Sequence, residues 1–249
     1  MEAKEWIATM KPTKNQLLQP EVDYRKFRLN KLDSPAFSHI KLLLYWPFFG
    51  VLFLFLERLQ PERSYYAVHC VLDDFIPFCE WSLIPYLFWF AFLIGTLVYC
   101  FFCDIRAFRR MMYFVMVTYS ITMIIYILFP TCQNLRPTSF SHNNLLIWIV
   151  QRFYAFDTNT NVFPSLHVVG SFSAMFAIWD SKKLQRRSWK IFAAVATFSI
   201  SLSTVFMKQH SILDVAGALP ICALGWQLCY KKRPNRQKRF LQKKANISV

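Results

Sequence analysis

His210 and Asp214 stand four residues apart, the spacing at which two side chains share one helix face and can touch. A carboxylate bonded to one imidazole nitrogen fixes the tautomer and makes the other nitrogen a stronger nucleophile, the orienting logic of a catalytic triad. A second place is Pro164-Ser165-Leu166-His167. Pro164 suits the first turn of a helix, because it lacks the N–H that would go unbonded there. The free N–H groups of a helix start bind phosphate oxygens. Ser165 adds a hydroxyl, and His167 in the same turn can deliver a proton to a leaving oxygen. A third is Leu135-Arg136-Pro137, where a planar guanidinium fork matches phosphate oxygens. Lys208, two residues before His210, offers a point charge. Each fragment alone has a plainer reading: a pair that caps and solvates a helix, a histidine incidental to a helix start, solvated loop cations. Their convergence on one side of the chain's topology favours phosphoryl transfer.

The elements that must hold these residues are apolar. Of the 249 residues, 55% are hydrophobic and 18% aromatic, too apolar for an ordinary soluble domain of this size. Several runs reach the roughly 20 residues that a helix needs to cross a hydrocarbon core of about 30 Å. Such helices satisfy their own backbone hydrogen bonds. Six spans are predicted, at roughly 38–56, 83–103, 111–129, 165–179, 189–207 and 212–230, in an all-α polytopic membrane protein. Residues 1–37 form an N-terminal segment, 38–230 the membrane domain with a core at about 113–230, and 231–249 a basic tail. The first 37 residues carry no signal peptide pattern, so the first span is expected to anchor the chain.

Charge fixes the orientation. Twenty-three Lys and Arg fall in the two termini and the loops after spans two and four, against five (Arg58, Arg63, Arg136, Arg152 and Lys208) in the other loops. Positive loops stay in the cytoplasm, so both termini are expected inside and all three motifs outside. The net charge of +15 is dispersed between apolar runs rather than gathered on one soluble face, which argues against nucleic acid as a partner. The seven cysteines show no scaffold, and Cys100 and Cys103 form a C-x-x-C without a second half, a weak metal signal. Residues 64–82 mix aromatics with Asp73, Asp74 and Glu80 and are expected at the interface. Residues 144–156 look like a short interfacial helix.

Together the three motifs resemble the type 2 phosphatidic acid phosphatase superfamily, with its pattern K-x6-R-P, P-S-G-H and S-R-x5-H-x3-D. Arg136-Pro137 matches the end of the first part, Pro164, Ser165 and His167 the second, and Ser203, His210 and Asp214 the third. The resemblance spans about residues 113–230 and implies a six-helix core with its site at one membrane face. It implies His210 as nucleophile, Asp214 as its orienting group and His167 as general acid. Arg136 and Ser165 would bind phosphate oxygens, with Lys208 in support. It implies a phosphohistidine intermediate, with neither metal nor cofactor. Three positions depart: Phe129 stands for the first-motif lysine, Leu166 for the glycine and Thr204 for the third-motif arginine. Such relaxed basic positions are similar to the branch of inositol phosphorylceramide and sphingomyelin synthases.

The expected function is that of a membrane lipid phosphatase or phosphotransferase acting on a phosphate-bearing lipid at the outer face. A head-group transferase of the phosphodiester type is the alternative. A silent lipid-binding or transport protein is the rival from another class. A bacterial plasma membrane is the expected location, since nothing marks an organelle.

Overall fold

The computed structural model describes residues 17–58 and 64–231. Arg63 and the basic tail after Lys231 lie outside the described residues, as do Lys4, Lys11 and Lys14. The elements are α1 (Tyr45–Arg58, preceded by a 3₁₀ segment Ser38–Leu44), β1 (Tyr66–Ala67), α2 (Val71–Phe75), α3 (Leu83–Cys103), α4 (Ile105–Leu128), β2 (Thr131–Cys132), α5 (Leu145–Phe156), α6 (Leu166–Asp180), α7 (Arg187–Phe206) and α8 (Ile212–Cys229). Pro47 has no N–H to extend the α1 ladder back through Leu43, and the chain before it winds as 3₁₀. The two short strands pair in parallel, Tyr66 with Thr131 and Ala67 with Cys132.

Among the described residues, α1, α3, α4, α6, α7 and α8 run between two ends of one bundle. The basic end holds Asp104, Asp180 and the loop at 181–186. The other, the cavity end, holds the strands, α2, α5 and the starts of α6 and α8. The described chain begins and finishes at the basic end. There Glu21 accepts from the Ile105 N–H at 2.6 Å, and Tyr24 donates to the Phe101 carbonyl at 2.8 Å. The segment before α1 is therefore docked onto the bundle from Leu17 onward, where Tyr99 donates to the Leu17 carbonyl.

Five helical segments among the described residues are long and apolar enough to cross a membrane: Ser38–Arg58, Glu80–Cys103, Ile105–Leu128, Arg187–Phe206 and Ile212–Cys229. The expected fourth span is α6, and at 15 residues it is shorter than a crossing helix. At 1.5 Å per residue it is about 22 Å long against a core of about 30 Å. Its position explains why this suffices. α6 packs against α3, α4, α7 and α8, so protein rather than lipid covers Val168, Val169, Ala174 and Ala177. Ser171 and Ser173 are fully buried there and donate to the His167 and Gly170 carbonyls of their own helix. Gly170 permits this central placement, since a Cβ there would meet the Tyr119 hydroxyl at 2.7 Å and the Trp89 ring at 3.0 Å.

Candidate active site

Two helix starts and a loop build the site. Ser165 is the N-cap of α6, and its hydroxyl accepts from the Val168 N–H. Pro164 precedes the cap and lies outside the first turn, contrary to the reading of the sequence. Its carbonyl accepts from the buried Tyr126 hydroxyl at 2.8 Å. Ser211 is the N-cap of α8 in a capping box, with Asp214 as the acidic third residue. His210 therefore lies before the helix and not on its face, as the four-residue spacing had suggested. The contact forms all the same, because the chain from Met207 to Ser211 makes a tight turn with Lys208 at φ 53°. The Thr204 carbonyl accepts from the N–H groups of both Gln209 (3.0 Å) and His210 (3.1 Å). His210 Nδ1 then lies 3.1 Å from Asp214 Oδ2, and the same oxygen accepts from the Ser211 N–H at 2.9 Å. The Ser165 N–H donates to the Asp214 carbonyl at 3.1 Å, which ties the two helix starts together.

His167, in the first turn of α6, is held between two rings. Its centroid is 4.6 Å from that of Tyr86 and 4.5 Å from that of Trp89. The His167 and His210 rings lie 5.7 Å apart with an interplanar angle of 66°. Both histidines line a cavity of about 60 Å³, with Glu57, Tyr126, Asp157, Asn161, Leu166 and Gln209 among its walls. A water needs roughly 10–15 Å³ on this measure, so the space suits a group of a few heavy atoms such as a tetrahedral phosphate.

The expected cations are placed differently from the histidines. Arg136 donates to the carbonyls of Tyr154 (3.1 Å), Asp157 (3.0 Å) and Thr158 (2.8 Å), and to Gln209 Oε1 at 2.6 Å. Its guanidinium also lies over the Tyr154 ring at 4.7 Å. Lys208 is buried and donates to the Asp73 carbonyl at 2.8 Å. Neither head group lines the cavity, and among the described residues no lysine or arginine does. Ser165 is wholly buried, its hydroxyl engaged as the cap. The structure thus gathers His167, His210 and Asp214 in one place and sets Arg136, Lys208 and Ser165 behind it.

Several neighbours escaped the sequence reading. Asp73 in α2 accepts from the Ser211 hydroxyl (2.6 Å) and the Ile212 N–H (2.9 Å), so it braces the start of α8. Burial would raise its carboxyl, but bonds from Ser211, Ile212 and Cys70 outweigh this and hold it below the ordinary carboxylate value. Glu57, at the last turn of α1, accepts from Asn161 Nδ2 at 2.8 Å and from the Thr158 hydroxyl. Asp157 follows α5, and burial pushes its carboxyl up while Arg136, His210 and Arg58 pull the other way. The one available signal was generic: an ionisable group at the end of an apolar span is a functional candidate by default, which covers Glu57.

Five apolar helices long enough to cross a membrane, closed around a polar cavity at one end, make this a multi-pass membrane protein. The PAP2 superfamily model matches residues 110–238, just over half of the chain, and the protein belongs to that superfamily. Membership supports a phosphatase-type lipid enzyme. No curated protein and no solved structure matches the chain.

Proposed function

We propose that the protein transfers a phosphoryl group from a phosphate-bearing lipid through a phosphohistidine on His210, at the outer membrane face. The observation that carries this reading is the His210 Nδ1 to Asp214 Oδ2 contact of 3.1 Å, within a turn that also brings His210 to the cavity shared with His167. With Nδ1 held by the carboxylate, Nε2 is the nitrogen left to attack.

The steps follow from these positions. A lipid enters laterally and places its phosphate in the cavity. The Leu166 and His167 N–H groups at the start of α6, beside the Ser165 cap, have no partner among the described residues and suit phosphate oxygens. His210 Nε2 attacks phosphorus, the bond to the leaving oxygen breaks, and His167 gives that oxygen a proton. Water or a second lipid's alcohol then attacks the phosphohistidine, with His167 taking its proton. Arg136 and Lys208 supply charge from behind the cavity wall. Asp214 orients His210, and Asp73 steadies the helix start that carries both. The chemistry asks for no metal.

One observation favours head-group transfer over simple hydrolysis. Among the described residues, Glu57 and Asp157 line the cavity and no lysine or arginine does. That surrounding suits a singly charged phosphodiester, and an acceptor bearing hydroxyls, better than a doubly charged monoester. The relaxed basic positions Phe129, Leu166 and Thr204 point the same way, toward the inositol phosphorylceramide and sphingomyelin synthase branch.

The test is a lipid panel. Purified protein in mixed micelles is given phosphatidate, phosphatidylglycerophosphate, an isoprenoid diphosphate and two phosphodiester lipids, with and without chelator. Phosphate release or head-group exchange that survives chelation, and that vanishes in His210→Ala with an unchanged melting temperature, supports the enzyme. Full activity in that variant overturns the mechanism. No turnover of any lipid leaves the silent lipid-binding protein as the better account.

A further inference from the structure

Among the buried polar atoms at the cavity end, one points to a ligand. Gln209 is 3% exposed and lines the cavity beside His210. Its Oε1 accepts from Arg136 at 2.6 Å. Its Nε2 is buried with no hydrogen-bond partner. The amide orientation is fixed by chemistry, because a guanidinium only donates and must face the oxygen. A buried N–H left unmade costs about 1–3 kcal/mol, so such a group calls for an explanation. The backbone gives one: Gln209 and His210 hang from the same Thr204 carbonyl, so the amide and the imidazole are set side by side.

We propose that Gln209 Nε2 is a direct ligand of the substrate phosphate, and that it carries the charge of Arg136 into the cavity. The inference rests on the phosphoryl-transfer reading above and deepens it. The bond from Arg136 is charge-assisted and draws electron density from the amide toward Oε1. The N–H bonds on Nε2 become better donors, as members of a hydrogen-bonded chain polarise one another. Arg136 meanwhile stays anchored on three backbone carbonyls and need not touch the lipid. The arrangement fits a cavity that no lysine or arginine lines among the described residues. A neutral amide gives the phosphate a donor of increased strength, while Glu57 and Asp157 stand on the same walls. Gln209 is thus a binding residue, and Arg136 a positioning residue that acts through it.

Two near-isosteric substitutions separate the parts. Gln209→Glu keeps an acceptor for Arg136 and removes the donor. Gln209→Met removes both without adding charge. The readouts are kcat/KM on whichever lipid of the panel the wild type turns over, inhibition by orthovanadate, and melting temperature. Each variant is expected to lose about 10²- to 10³-fold in kcat/KM, the range for removing one positioned donor to a reacting oxyanion. Vanadate inhibition weakens in parallel and the melting temperature holds. Arg136→Met is expected to lower kcat/KM in the Gln209 background and to add little to Gln209→Met, which purely structural roles would not produce. Wild-type kcat/KM and vanadate inhibition in both Gln209 variants, with His210→Ala inactive, overturn this inference and leave the phosphoryl-transfer reading standing. A wild type that turns over no lipid overturns both.

Discussion

The two ends of the bundle use similar charged residues in opposite ways. At the basic end, cations meet carboxylates across helices. Asp180 accepts from Arg106 (2.8 Å) and Arg110 (2.7 Å), joining α6 to α4. Asp104 caps α4 through the Ala107 N–H and also takes the Ser181 hydroxyl and the Lys182 N–H, closing the α6–α7 loop onto the same point. At the cavity end, no lysine or arginine pairs with a carboxylate among the described residues. Arg136 and Lys208 turn to backbone carbonyls, and Asp73 and Asp214 to backbone N–H groups. Ion pairs cancel charge and fix helices. Charges tied to the backbone keep their fields, and here they surround a cavity whose side chains keep unpartnered atoms, among them Gln209 Nε2 and Asn161 Oδ1. One end is built for holding, and the other leaves polar atoms unpaired around a cavity.

That contrast can be broken by substitution. The largest effect after loss of His210, the proposed nucleophile, is expected for Asp214→Asn. The amide leaves the ring of His210 without a carboxylate to fix its tautomer, and kcat should fall by about 10²- to 10⁴-fold, less than in His210→Ala. Lipid turnover by the two variants, side by side, checks the order. An Asp214→Asn variant as active as the wild type would remove the triad logic from the account.

Asp73→Asn comes next. It weakens the brace on Ser211 and Ile212, so kcat should drop by about tenfold and stability by about 1–2 kcal/mol. The sign with pH is definite. Asp73 is held below its ordinary value of about 3.9, so its contribution is fully present above that value and lost as pH falls through the lower folded one. Melting temperature against pH should show a shallower acid limb in Asp73→Asn than in the wild type. Identical limbs would show that the brace adds nothing.

The smallest effect on catalysis is expected at the basic end. Asp104→Ala removes a helix cap and two cross-links, at a cost of about 1–3 kcal/mol of stability. It should leave kcat/KM unchanged. Loss of activity in a folded Asp104→Ala protein would mean that the two ends are coupled, contrary to the division drawn here.

Sequence and structure part company at specific places. The helices were legible because apolar runs and charge clusters are local signals: the expected span 83–103 coincides with α3, and 189–207 overlaps α7 closely. The short helix at 144–156 forms as α5. The fourth span was legible as apolar but not as short, since its length depends on being walled by other helices. His167, His210 and Asp214 stood out as chemistry-bearing types at helix starts. The surrounding shell did not. Asp73 meets Ser211 across 138 residues, Glu57 meets Asn161 across 104, and Arg136 meets Gln209 across 73. Pairs so distant leave no periodic trace in one sequence, and a cation read as a phosphate ligand cannot be told from one that clamps carbonyls until the loop is seen. Even the four-residue spacing of His210 and Asp214 pointed to the right contact through the wrong geometry, a capping turn in place of a helix face.

If His210 takes the phosphoryl group, the protein is transiently labelled there during turnover. Rapid acid-free quenching with a ³²P-labelled lipid that it turns over, followed by peptide mapping, detects this. Label is expected on the peptide containing His210, stable to base and labile to acid, and absent from His210→Ala. Turnover with no label on that peptide, or equal labelling of the His210→Ala protein, would rule out His210 as the acceptor.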